Sequence, residues 1–159
     1  MKILIPIDGS PLALDAVRHA LALAAQGLSA SFVIANVQQP SSLYEMVVVH
    51  DADALAEMAR GAAVHALAPA EALLQAAGAS YETEVAAGDP AHMLVDIAER
   101  YGCDAIVMSA RGASSGIANL GSVANAVLAG STVPVTIVRR VEPEVEADEI
   151  EADVASLGE

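Results

Sequence analysis

Lys2-Ile3-Leu4-Ile5-Pro6-Ile7, running straight into Asp8-Gly9-Ser10-Pro11, is the stretch whose reading decides the fold. Its strand-forming residues are apolar and β-branched, with no alternation of polar and apolar positions. That pattern describes a strand covered on both faces. The turn cluster that follows also opens a helix, with Ser10 expected as its N-cap and Pro11 at the first helical position. Leu12, Ala16, His19, Ala20 and Leu23 then recur at helical spacing until Gly27 stops the run.

The same unit repeats down the chain. Residues 31–37, with Phe32-Val33-Ile34-Ala35-Asn36-Val37, read as a second buried strand. Residues 38–52 read as irregular, with one apolar patch at Met46-Val47-Val48-Val49. An alanine-rich helix is expected over about 54–77, closed by Gly78 and kinked or broken at Pro69. Residues 81–87 form a third strand, and Gly88-Asp89-Pro90 turns into a helix that runs to Tyr101 and ends on Gly102. Residues 104–108 form a fourth strand, a loop with Gly112 and Gly116 follows, and a helix covers 122–129. Residues 133–138, from Val133 to Val138, form a fifth strand with Pro134 near its start. Strands alternating with helices at this spacing give the α/β class. The expectation is a five-stranded parallel doubly wound sheet with helices on both faces. An order of 3-2-1-4-5 would put strands 1 and 4 at a topological switch point.

At 159 residues the chain has the length of one domain. With no Trp, one Phe and three Tyr, its core must come from Ala, Val, Leu and Ile. The formal charge of −14 is uneven. Residues 1–140 hold 13 acids against 7 basic residues, a net of −6, while residues 141–159 hold 8 acids and no basic residue. The expected organisation is therefore a domain over 1–140 and an acidic, disordered tail over 141–159. Val145, Ile150, Val154 and Leu157 could line one face of a short partner-binding helix in that tail. Such an acidic surface repels phosphate backbones, which argues against a nucleic-acid partner. Cys103 stands alone, which excludes a disulfide framework or a cysteine metal cluster. No apolar stretch approaches the ~18 residues a membrane span needs. The opening apolar run meets Pro6 and Asp8 before a signal-peptide core could form, so a cytoplasmic location is expected.

In an open α/β sheet, ligands bind outside the carboxyl ends of the strands where the order reverses. Two loops qualify: Asp8-Gly9-Ser10 after strand 1, and the run from Met108 to Ser122 after strand 4. Gly112 and Gly121 would let main-chain amides approach a ligand, and Gly121-Ser122 at a helix start would offer N–H groups to a phosphate. Arg111 could add a charge-assisted contact. As bare pattern, ordinary loop and capping roles explain these residues as well.

The order and spacing of several pieces make the chain resemble the universal stress protein family across about 1–140. They are Ile3-Leu4-Ile5-Pro6-Ile7-Asp8-Gly9-Ser10, Ala35-Asn36-Val37, Gly88-Asp89-Pro90, Asp104-Ala105-Ile106-Val107-Met108-Ser109-Ala110-Arg111-Gly112, Leu120-Gly121-Ser122-Val123 and Val133-Pro134-Val135-Thr136-Ile137-Val138. The resemblance implies a stress-response regulatory protein that binds ATP or AMP, with Mg²⁺ accompanying ATP. It places Asp8 near ribose and triphosphate, Val37 against adenine through main-chain groups, and Gly112, Gly121, Ser122 and Val123 around the phosphates. Pro6, Ile7, Ser10, Met108, Ser109 and Arg111 complete the candidate nucleotide-binding set. It also implies a homodimer paired through the last strand, whose apolar edge would otherwise be exposed. Two departures bear on the transfer. The family's ATP-binding loop reads G-x-x-G, nine residues, then G-[ST]. Here its first glycine is Ser109, and eight residues separate Gly112 from Gly121. A dimeric interaction scaffold without nucleotide is the alternative those departures favour.

An enzyme is not expected. No Walker A sequence or H-x-G-H pair is present, and Arg111 is the only cation in the glycine loop, where phosphoryl transfer needs several. A phospho-receiver would need an acidic pair after strand 1, a phosphorylatable Asp after strand 3 and a Lys after strand 5. Asp8 has no acidic neighbour, Ala86-Ala87-Gly88 ends strand 3 and Arg139-Arg140 follows strand 5. His19, His50, His65 and His92 lack metal spacing, and Cys103 reads as a small core residue. Asp89-Pro90 reads as a helix start, and Met46 and Met58 as packing residues.

Overall fold

The computed structural model describes residues 1–39, 51–111 and 120–140. Strand β1 (Lys2–Pro6), helix α1 (Ala13–Ala25) and β2 (Ser31–Gln38) come first, then α2 (Ala52–Ala76) and β3 (Tyr81–Ala87). Helix α3 (Pro90–Arg100), β4 (Ala105–Ser109), α4 (Ser122–Gly130) and β5 (Val135–Val138) complete the described elements. The strands form one parallel sheet in the order β3-β2-β1-β4-β5. The expected fold class and strand order are therefore observed. The Met46–Val49 patch, Gly112 and the acidic tail lie outside the described residues.

Each strand sends alternate side chains to opposite faces, and both faces are covered. Ile3, Ile5, Phe32, Ile34 and Val107 pack with α1 and α2, through Ala16, Val17, Leu67 and Leu74 among others. Leu4, Val33, Ala35, Ile106 and Met108 pack on the other side with α3 and α4, through Leu94, Ile97, Ala124 and Val127. Burying a side chain such as Leu74 or Ile97 contributes roughly 1.5–3 kcal/mol. The small alanines at 16, 20, 70 and 98 bring the helices close to the sheet. At the β3 edge, polar side chains replace apolar ones. Lys2 Nζ meets Glu82 at 2.9 Å, while Arg100 and the Tyr101 hydroxyl reach Glu84 at 2.6 and 2.7 Å.

Three details depart from the sequence reading. Helix α1 begins at Ala13, because Pro11-Leu12 forms a separate turn first. Ser10 closes that turn, its carbonyl and hydroxyl oxygens accepting from the Ala13 N–H at 3.2 and 3.4 Å. Ser10 is thus a cap one turn ahead of the helix, and Pro11 is not its first residue. Helix α2 starts on an Asp51 cap and continues through Pro69 unbroken. Packing of Ala63, Leu67, Ala70 and Leu74 on the sheet holds the turns on either side of the proline. Strand β5 begins after Pro134, which has no N–H to give the ladder but accepts from the Ile106 N–H at 2.9 Å.

Candidate functional site

At the carboxyl edge of the sheet, the middle strand ends before both of its neighbours. Pairing of β1 with β2 ends at Pro6↔Ala35, whereas β2 continues beside β3 to Gln38↔Ala87. On the other side β4 pairs with β1 only at Ile3↔Ala105 and Leu4↔Ile106, yet runs on beside β5 to Ser109↔Val138. Two strands overrun the one between them and leave a notch at the switch point. A cleft of about 340 Å³ fills it.

From β1 the floor receives Pro6, Ile7 and Asp8. The exposed Asp8 carboxylate accepts from the Ser10 N–H at 2.9 Å and from the Ser10 hydroxyl at 2.6 Å, which fixes its direction. From β2 come Asn36, Val37, Gln38 and Gln39. The Ala35 carbonyl points to β1 and accepts from the Ile7 N–H, while the Gln38 carbonyl points to β3 and accepts from the Gly88 N–H. Alternation along the strand turns the N–H and C=O of Val37 to the β1 side, past the place where β1 has ended. Pro90 and Leu94 of α3 form an apolar wall.

The opposite wall is Met108, Ser109, Ala110 and Arg111 from the end of β4, with Gly121, Ser122, Val123 and Ala124 from the start of α4. The Gly121 N–H donates to the Ala110 carbonyl at 2.8 Å, and the Ala110 N–H to the Val138 carbonyl at 2.8 Å. These two bonds tie the helix start to the strand ends. Gly121 is the N-cap of α4 and has no side chain with which to cap it. The first turn of α4 therefore lies against the cleft without a side-chain cap, at the positive end of the helix dipole. The Ser109 hydroxyl donates to the Arg111 carbonyl at 2.7 Å, which folds its side chain back onto its own loop.

Pro6, Ile7, Asp8, Val37, Met108, Ser109, Arg111, Gly121, Ser122 and Val123 all line this one cleft. Ser10 lies outside it, bound to Asp8 and lining a neighbouring hollow with His65 and Pro69. Gly112 falls outside the described residues. Sequence reasoning did not single out Asn36, Gln38, Gln39, Pro90, Leu94, Ala110 and Ala124, which also line the cleft. The signal for Asn36 was a lone amide inside an otherwise apolar strand. The signal for Pro90 was its place after β3, whose carboxyl end lies beside that of β2. Among the described residues no cluster of three metal-ligating side chains occurs. His92 faces Asp96 at 3.5 Å on α3, and Cys103 is buried, which pushes its thiol pKa up. No described helix is long and apolar enough to cross a membrane.

A parallel sheet of this order, notched at its switch point and flanked there by a glycine-capped helix, defines a doubly wound α/β domain with a cleft at the carboxyl edge of its sheet. The model of the universal stress protein family matches residues 1–139, and the chain belongs to that family. The universal stress protein MJ0531 of Methanocaldococcus jannaschii is 30% identical over 145 residues, which is 90% of this chain and 84% of that protein. Among solved structures, the hypothetical protein MJ0577 is 28% identical with a TM-score of 0.74, over 89% of this chain and 97% of its own. A universal stress protein in complex with cAMP is also 28% identical, with a TM-score of 0.62, over 87% of this chain and 96% of its own.

Proposed function

We propose that the cleft binds an adenine nucleotide, ATP or AMP, and that the protein acts as a non-enzymatic regulator in a stress response. The observation that carries this is the convergence of the Val37 main-chain edge, Asp8 and the α4 N-terminus on one notch. A donor and an acceptor side by side on Val37 match the Watson–Crick edge of adenine, which offers an acceptor beside an amino donor. The first turn of α4 suits a phosphate. Asp8 can hold a ribose hydroxyl or the Mg²⁺ that accompanies a triphosphate. A relative of the same fold, 28% identical, was crystallised with cAMP. Pairing of two chains through β5 (with Val133 just before it) would cover Val135 and Ile137, which the single chain leaves partly exposed. A monomer by light scattering at micromolar concentration would remove that part of the proposal.

One observation favours the scaffold reading. Ser109 brings a side chain into the loop where the family's ATP-binding pattern has glycine, and the interval to Gly121 is one residue short. Titration calorimetry of the full chain with Mg²⁺-ATP and with AMP decides between them, alongside extraction of co-purified nucleotide. Micromolar binding that Asp8→Ala and Gly121→Ala each weaken by about tenfold supports the nucleotide site. No binding and no extracted nucleotide selects the scaffold.

A further inference from the structure

Among the described residues only two polar side chains are buried, Ser10 at 7% and Asn36 at 3% exposure, and both brace the same corner. Ser10 holds the Asp8 carboxylate. The Asn36 Nδ2 donates to the Ile7 carbonyl at 2.7 Å, and its Oδ1 accepts from Gln38 Nε2. A carbonyl can only accept, so Ile7 fixes which way the Asn36 amide faces. Asn36 in turn fixes Gln38, turning the Gln38 Oε1 away from the relay. An amide buried in an apolar strand costs stability unless both its ends are satisfied. Here they are, and no buried side-chain polar atom among the described residues lacks a partner.

The place of this relay in the ladder gives it a consequence. The Ile7 N–H still reaches the Ala35 carbonyl at 2.8 Å, so β1 and β2 remain in register one residue past the paired segment. The next rung would be the Val37 N–H to the Ile7 carbonyl. That rung is not formed, and the Asn36 side chain donates to the oxygen in its place. We propose that Asn36 is a positioning residue for the cleft: its side chain terminates the β1–β2 ladder at Ile7 and thereby keeps the Val37 main-chain edge open to a ligand. With an apolar side chain at 36, the donor that the ladder register brings to the Ile7 carbonyl is the Val37 N–H. Making that bond extends the sheet by one rung and closes the edge. The ligand consequence rests on the nucleotide reading above; the ladder consequence does not.

The test compares the full chain with Asn36→Val by amide hydrogen exchange, followed by NMR, and by calorimetric titration with AMP. In the ligand-free variant the Val37 amide is expected to exchange at least about tenfold more slowly than in the unaltered chain, with AMP bound about tenfold more weakly. A folded variant with unchanged Val37 exchange overturns the proposal. If Asn36→Val fails to fold, Asn36→Asp supplies the same answer through pH. Its carboxyl can donate to Ile7 only when protonated. The rate of Val37 exchange relative to the unaltered chain should therefore fall as pH rises from about 5 to about 8, after correction for intrinsic exchange. Asp8 and His65, which line the hollow beside Gln38, are present in both proteins, so what they contribute cancels in the ratio. A flat ratio overturns the proposal. Failure of the unaltered chain to bind AMP removes the nucleotide reading alone, because Val37 exchange still reports on Asn36.

Discussion

Gly88 joins β3 to α3 at the rim of the cleft with φ of +145°, far beyond the left-handed well near +57° that other residues visit. A methyl group there would lie 3.1 Å from Met93 Cγ and 3.3 Å from its sulfur. Gly102, at φ of +62° with open space around it, is the natural control. Gly102→Ala carries about 1–2 kcal/mol of left-handed strain, offset by about 0.4–1 kcal/mol of lost unfolded-state entropy. Gly88→Ala carries up to about 3 kcal/mol of backbone strain and must also displace Met93, against the same offset. The expected net losses are about 2 kcal/mol at Gly88 and less than about 1 kcal/mol at Gly102. With a urea slope of about 2 kcal/mol/M, the Gly88 variant should unfold at about 1 M lower urea. The strain acts directly on the Asp89 cap, whose carboxylate accepts from the His92 N–H at 3.0 Å, and on Pro90 in the cleft wall. Equal midpoint shifts for the two variants, or a larger one at Gly102, would refute the reasoning.

The same unfolding assay separates the two ends of the exposure scale. Leu74→Ala, at a fully buried position on α2, should cost about 2–5 kcal/mol, while Leu128→Ala, 44% exposed on α4, should stay within about 0.5 kcal/mol. Asp15 accepts from Arg140 at 2.8 and 3.0 Å and from Arg18 at 2.9 Å, and hydrogen bonding to Arg140 first of all holds its pKa below the ordinary 3.8. A depressed carboxylate contributes stability above its unfolded pKa and loses it as pH falls through the folded one. Asp15→Asn should therefore cost no more than about 1 kcal/mol at neutral pH, since both arginines are substantially exposed, and less near pH 2. A loss of equal size at both pH values would rule out the ion pair as its source. Burial raises the Cys103 pKa, so the thiol should resist a disulfide reagent in the native protein at neutral pH and react at once in denaturant. Rapid native labelling would contradict its core placement.

The architecture was legible because β1, β2 and β4 are nearly unbroken apolar runs and each long helix ends at a glycine. Gly27, Gly78 and Gly102 all take positive φ just beyond α1, α2 and α3. Errors fell where a local signal met a tertiary one. Pro69 signals a kink or a break, and the break does not occur: apolar contacts on both sides carry α2 through it. Ser10-Pro11 signals a helix start, yet the Ser10 oxygens close only the Pro11-Leu12 turn and the helix begins at Ala13. The site was half legible. Asp8, Ser109 and Gly121 stand in loops that any βα reading places at the carboxyl edge. Pro90 and Leu94 join it only because β3 lies beside β2, and Asn36 matters only because its amide meets the Ile7 carbonyl. An amide within a strand is visible in sequence; the carbonyl it will meet is not.

The two halves of the cleft are built by different elements, and this makes them separable. On the proposed reading, the base half would be main chain, the β2 edge at Val37 beyond the end of β1, and the phosphate half would be the start of α4 together with Ser109. Ser109 stands on the β4–α4 side of the cleft, whereas the β1–β2 ladder ends at Pro6↔Ala35 on the other. Comparison of adenosine with AMP therefore isolates the phosphate half. Charge-assisted bonds to main-chain N–H groups and the dipole of α4 should together make AMP bind at least about tenfold more tightly than adenosine. Equal affinities would mean that the altered loop has silenced the phosphate half while the β2 edge still reads the base. In that case the ligand class shifts from nucleotide to nucleoside, with the fold and the notch unchanged.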